Sequence, residues 1–154
     1  MPAQPTPHSI DTATGKEAPA EISSERVKDI FSRIARKYER FNAVSSFGAY
    51  KSWLHTMARM APIGHADDVL DIAGGTGDVS FTMAREKRPH HIQCTDLVPE
   101  MLDVARWHVE EQGKNQGVPI DFEVVDAQDI PYPDASYDVV TMAYGIRNMP
   151  NREQ

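Results

Sequence analysis

The chain has 154 residues, 40% of them hydrophobic, enough for one domain with a real core. Lys and Arg number 16 against 23 Asp and Glu, a net charge of -7, which argues against nucleic acid as the main partner because phosphate binding needs a concentrated basic face. The single cysteine, Cys94, excludes an intrachain disulfide, and no stretch approaches the ~18 consecutive apolar residues of a membrane span. The start lacks a basic-then-apolar leader, and the lone cysteine makes a reducing cytoplasm the expected location.

Residues 1–22 contain Pro2, Pro5, Pro7 and Pro19 and few apolar groups, and are read as a disordered tail. Residues 23–62 are read as a helical segment. Its first helix follows the N-cap Ser24 and carries Val27, Ile30, Phe31, Ile34, Tyr38 and Phe41 on one face. Its second runs from about Tyr50 to Ala61, with Trp53, Leu54, Met57 and Ala61 on one side, and ends at Pro62 and Gly64. Over 63–154 strands and helices alternate. Val69 to Ala73 is a buried strand, Gly74 to Asp78 a tight turn, and Val79 to about Lys87 a helix stopped near Pro89. Ile92 to Asp96 is the second strand, followed by a helix whose first turn holds Pro99 and whose apolar face is Met101, Leu102, Ala105 and Val109. Ile120 to Val125 and Tyr137 to Tyr144 complete four strands. The pattern predicts an α/β fold with a doubly wound parallel sheet in the order 3-2-1-4.

Ligands of such sheets sit at the carboxyl ends of the strands, and the first strand–turn–helix carries the strongest signal. A dinucleotide site wants G-x-G-x-x-G, but Ser80 holds the third glycine's place. A methyltransferase wants an acid on the strand and then G-x-G-x-G. Here Asp71 is the acid, Ala73 stands at the first glycine position, and Gly75 and Gly77 flank Thr76. The acid suits a ligand bearing an ammonium and a sulfonium, whereas it would repel a diphosphate. Asp96 ends the second strand, where a carboxylate can accept both ribose hydroxyl hydrogens; without a ligand it would be a helix cap before Pro99. Asp126 follows the third strand, placed to meet an adenine amino group, with the small Ala127 letting the ring lie close; alone it would be an ordinary loop aspartate. His90 and His91 lack partners at metal-ligand spacing, so no metal site is expected. His55, His65 and His108 read as surface residues, and Trp53 and Trp107 as packing groups.

The stretch Leu70-Asp71-Ile72-Ala73-Gly74-Gly75-Thr76-Gly77-Asp78 resembles the cofactor loop of the ubiquinone/menaquinone biosynthesis methyltransferases. Tyr144-Gly145-Ile146-Arg147-Asn148 is similar to that family's pentapeptide after the fourth strand. Tyr38-Glu39-Arg40-Phe41-Asn42, with Ser46-Phe47-Gly48 and Trp53, is similar to its N-terminal signature. The likeness runs from about Val27 to Pro150, with departures at Glu39, Phe41, Tyr50 (where relatives carry His) and Ala143 (where relatives often carry Ser).

The resemblance implies a class I, Rossmann-like fold with an N-terminal helical extension, S-adenosylmethionine as cofactor, and C-methylation of a polyprenyl quinol ring, with demethylmenaquinol to menaquinol favoured. It implies that Arg147 stabilises a developing phenolate, that Asn148 orients the ring hydroxyl or a water, and that Tyr38 closes over the cofactor or relays a proton. Ala143 would lie beside the cofactor. The quinol would be reached peripherally at the inner membrane face. The family pattern continues beyond the fourth strand, so the expectation is an incomplete sheet whose exposed fourth strand invites self-association and a chain without turnover. Methylation of another small molecule, a cofactor-binding fragment, and the disfavoured NAD-dependent oxidoreductase stand as alternatives.

Overall fold

The computed structural model describes residues 49–143 together with Gly145 and Ile146. The predicted tail, the helix beginning after Ser24, and Tyr38, Tyr144, Arg147 and Asn148 lie outside the described residues. The elements are α1 (Ala49–Met60), β1 (Asp68–Asp71), α2 (Asp78–Glu86), β2 (His91–Asp96), α3 (Pro99–Gln112), β3 (Ile120–Val124) and β4 (Val139–Thr141). The four strands form one sheet in the order β3-β2-β1-β4, all pairs parallel, as the alternation of strands and helices requires.

Register explains the core. Val69 of β1 pairs with Ile92 of β2 and Val139 of β4, and Ile92 pairs with Ile120 of β3, so one apolar row crosses the sheet on a single face. Onto that row pack Val79, Met83 and Ala84 of α2 and Leu54 and Ala58 of α1. Six consecutive residues of α2, Val79 to Ala84, are buried, because the helix lies against α1 as well as the sheet. α3 packs on β2 and β3, with Met101, Leu102 and Ala105 buried. Pro99 opens it, and left-handed Gly113 closes it with its N–H donating to the Val109 carbonyl at 3.0 Å.

Three expectations are corrected. The buried stripe of α1 is Tyr50, Leu54 and Ala58, with Met57 and Ala61 at its margin and Trp53 54% exposed. In this orientation the Tyr50 hydroxyl donates to the Asp78 carboxylate at 3.0 Å. His108 is buried rather than at the surface: its ring stands edge-on to Phe81 of α2 at 6.0 Å, and Nδ1 lies 3.1 Å from Gln112 Oε1. Trp107 is half exposed and, as expected of a packing group, sets its ring against His108 at 5.0 Å between centroids. β4 is also shorter than predicted. Asp138 already binds β1 from outside the strand, donating its N–H to the Asp68 carbonyl and accepting the Asp68 N–H on its carboxylate, both at 2.9 Å.

Candidate cofactor site

At the carboxyl end of β1 the chain leaves the sheet early. Ile72 still donates to the Thr141 carbonyl of β4 at 2.8 Å, but Ala73 then adopts a left-handed φ of 54°. This is the first glycine position of the motif, and the backbone there has the conformation a glycine adopts without cost. Ala73→Gly is therefore expected to be tolerated and to stabilise the fold by less than about 1 kcal/mol, the relief of left-handed strain being partly offset by a more flexible unfolded chain. Urea denaturation measures it, and a loss of stability would contradict the backbone geometry.

The turn is tied to the neighbouring strand by main-chain bonds. Gly74 donates to the Thr95 carbonyl at 2.8 Å, and Val125, just past β3, donates to the Asp96 carbonyl at 3.1 Å. Thus the ends of β1, β2 and β3 form one edge that carries Gly75, Thr76, Gly77, Asp96, Asp126 and Ala127. The Asp96 carboxylate accepts the Gly75 N–H at 2.8 Å on one oxygen and the Val98 N–H at 2.9 Å on the other. Burial pushes its pKa up, while these backbone bonds pull it down. The Leu97 N–H adds a third backbone bond; a carboxylate has about four acceptor positions, so it can still take a hydroxyl.

Gly75 has φ of 59°, and a Cβ built on it would point into the space between the Met101 methyl, 3.5 Å away, and Asp96 Oδ2, 4.0 Å away. The turn therefore keeps a small cradle open beside the carboxylate. Asp126 lies at the same edge and shapes its own loop, its carboxylate accepting the Gln128 N–H at 2.9 Å and its carbonyl accepting the Asp129 N–H at 2.9 Å. Thr76 is buried, Ala127 and Ala143 are half-buried, and Ala143 packs against the main core.

Asp71 differs from the other acids. It is fully buried, accepting the Ser80 hydroxyl at 2.6 Å on Oδ2 and the Thr141 hydroxyl at 2.9 Å on Oδ1. Burial raises its pKa to about 6, against the lowering effect of the two hydroxyls; the nearby Asp96 charge adds to the rise. Ser80 and Thr141 are not among the sequence candidates for the site, and Met101 is there only as part of a helix's apolar face. The signal for both hydroxyls was present: each is a polar residue in an otherwise apolar stretch, Val79-Ser80-Phe81 and Val139-Val140-Thr141-Met142.

Among the described residues, no group of His, Cys, Asp and Glu could hold a metal ion, and no helix is long and apolar enough to cross a membrane.

A parallel sheet in the order β3-β2-β1-β4, with an acid-then-glycine turn after β1 and a carboxylate ending β2, defines the fold of class I S-adenosylmethionine-dependent methyltransferases. The magnesium protoporphyrin IX methyltransferase ChlM of Synechocystis PCC 6803 shares this fold, with a TM-score of 0.62 at 16% identity over 78% of this chain and 57% of that one. So does the [4+2]-cyclase SpnF, with a TM-score of 0.63 at 20% identity over 77% of this chain and 48% of that one, which shows that the fold alone does not fix the chemistry. The family is decided by sequence: residues 20–154 match the ubiE/COQ5 methyltransferase family, and the chain belongs to it. It is 35% identical to the ubiquinone/menaquinone biosynthesis C-methyltransferase UbiE of Rhizobium meliloti, covering 93% of this chain and 54% of that protein. It is 38% identical to the demethylmenaquinone methyltransferase of Deinococcus radiodurans, covering 84% and 52% respectively. The chain spans about half the length of these curated relatives.

Proposed function

We propose that this chain binds S-adenosylmethionine at the carboxyl edge of the sheet and serves the C-methylation of a polyprenyl quinol, demethylmenaquinol to menaquinol being the favoured reaction. Family membership supports the reaction class, and the relatives named for ubiquinone and menaquinone biosynthesis support the substrate. The observation that carries the cofactor reading is the pairing of the Gly75 cradle with the partly exposed Asp96 carboxylate.

When bound, S-adenosylmethionine supplies a methyl group on a sulfonium, open to in-line displacement without a metal. The chain's own residues have the remaining tasks. Asp96 accepts the ribose hydroxyls, while Asp126 and Ala127 receive the adenine. The turn from Gly75 to Gly77 lets the methionine portion approach the backbone, and Asp71 contributes negative charge beneath it. For the substrate, Arg147 stabilises a ring oxygen as it loses its proton, Asn148 orients that oxygen, and Tyr38 closes the site or relays the proton; these roles rest on the family resemblance. The quinol is met at the inner face of the membrane.

Calorimetric titration with S-adenosylmethionine and, separately, NAD tests the cofactor. Binding of the first alone is expected, and binding of NAD alone would overturn the reading. Asp96→Ala is expected to weaken S-adenosylmethionine binding by about 1.5–3 kcal/mol through lost charge-assisted hydrogen bonds. Unchanged affinity in a folded variant would remove the ribose assignment. Transfer of a labelled methyl group to demethylmenaquinol tests the substrate.

A further inference from the structure

The buried carboxylate of Asp71 lies where three elements meet. It ends β1, Ser80 reaches it from the first turn of α2, and Thr141 reaches it from the end of β4, at 2.6 and 2.9 Å. The cofactor turn rests on the same group: a Cβ built on Gly74 would come within 3.0 Å of Asp71 Oδ2 and 2.6 Å of Cys94 Sγ. The turn therefore lies directly against the carboxylate and the thiol, leaving no space for a side chain at position 74. The carboxylate is fully inaccessible to solvent, and each oxygen is engaged by a hydroxyl.

We propose that Ser80 and Thr141 are positioning residues: their hydroxyls clamp the ionised Asp71 carboxylate between α2 and β4, and so fix both the backbone and the negative charge of the turn that receives a cationic cofactor. The inference rests on the S-adenosylmethionine reading. The clamp also links the cofactor turn to β4, which leads in sequence to Ala143 and the pentapeptide from Tyr144 to Asn148.

The groups facing Asp71 can be named element by element. α2 presents Ser80 and β4 presents Thr141, while β2 presents the Cys94 thiol and, at its end, the Asp96 carboxylate. The thiol is pushed well above its ordinary range by burial and stays neutral, so Asp96 is the facing group that shares the acid range. Both hydroxyls favour the ionised form of Asp71, and removing either raises its pKa further. A purely structural role for Ser80 or Thr141 would leave the pH dependence of cofactor affinity where it is in wild type.

The test uses the whole chain, with Thr141→Val, Ser80→Ala and the conservative Thr141→Ser. Two quantities are read: the Asp71 carboxyl titration by carbon NMR without cofactor, and S-adenosylmethionine affinity between pH 5 and 8. Wild type is expected to lose affinity as pH falls through about 6. In Thr141→Val and Ser80→Ala both the NMR titration and this acid limb are expected to move up by about one pH unit, the size of one hydrogen bond to a charged group. Thr141→Ser is expected to restore the wild-type position. If either the titration or the acid limb stays put in a folded Thr141→Val chain, the clamp is wrong while the cofactor reading stands. If wild type binds no S-adenosylmethionine at any pH, the cofactor reading fails and the proposed purpose of the clamp fails with it, even where the NMR titration shifts.

Discussion

Gly77→Ala is expected to destabilise the fold by about 2–5 kcal/mol and to abolish measurable cofactor binding, because two separate penalties coincide at one residue. Gly77 is the N-cap of α2 with φ of 89°, a conformation that an alanine enters only at a cost of about 1–2 kcal/mol. The added methyl would also fall 2.6 Å from Cζ and 2.7 Å from Cε2 of Phe81, one turn along the same helix. The Phe81 ring has little freedom to retreat. It is buried, set edge-on against His108 of α3, and has the Lys114 ammonium 5.7 Å from its centroid. Forcing it aside is an overpacking event, worth about 1–3 kcal/mol. Against a total stability of about 5–15 kcal/mol the sum is a large share.

Urea denaturation of Gly77→Ala, Phe81→Leu and the double variant separates the two parts. The double variant is expected to recover the steric penalty and keep the backbone penalty, so the two changes are non-additive. Strict additivity would mean that the ring and the turn do not meet. Cofactor affinity should stay low in the double variant, since the backbone of the turn is still displaced.

The sheet order was legible because alternation of apolar strands and helices leaves few parallel topologies, and β1 to β4 occur where the apolar runs place them. The cofactor edge was legible for a related reason. Gly75, Gly77 and Asp96 sit at strand ends, and strand ends of a doubly wound sheet share one edge. Contacts made across elements were not legible. The Ser80 and Thr141 hydroxyls meet Asp71 only through the register that sets Asp71 beside Thr141 and the packing of α2 on that face. Tyr50 read as a departure from the family pattern, yet it forms the link from α1 to Asp78 at the first turn of α2. His108 was misplaced because a polar residue in an amphipathic helix looks solvent-facing until a neighbouring ring, here Phe81, is known to cover it. Strand and helix ends were set by hydrogen bonds of single residues, such as Asp138 to Asp68, which carry no periodic signal.

Asp71→Asn is expected to make the chain more stable at pH 7.5, by on the order of 3 kcal/mol, while weakening S-adenosylmethionine binding. The direction follows from linkage. Burial raises the Asp71 pKa from 3.8 in the unfolded chain to about 6 in the folded one. The folded state therefore prefers the protonated form. That preference contributes fully to stability below about pH 4, declines as pH rises through about 6, and is absent above it, where the charged carboxylate must be kept inside. An asparagine keeps the shape without the charge. Its amide can still serve both neighbours, accepting one hydroxyl and donating to the other, because hydroxyl hydrogens rotate to suit. The gain should therefore shrink as pH is lowered from 7.5 toward 4, and urea denaturation at several pH values reads it directly. A variant less stable than wild type at pH 7.5 would show that the ionised carboxylate holds the fold together rather than straining it. The binding loss has the opposite cause: a cationic ligand draws on the very charge that the fold tolerates poorly. Wild type thus retains a destabilising anion where function calls for one, and the two measurements on one variant, stability rising and affinity falling, would expose that exchange.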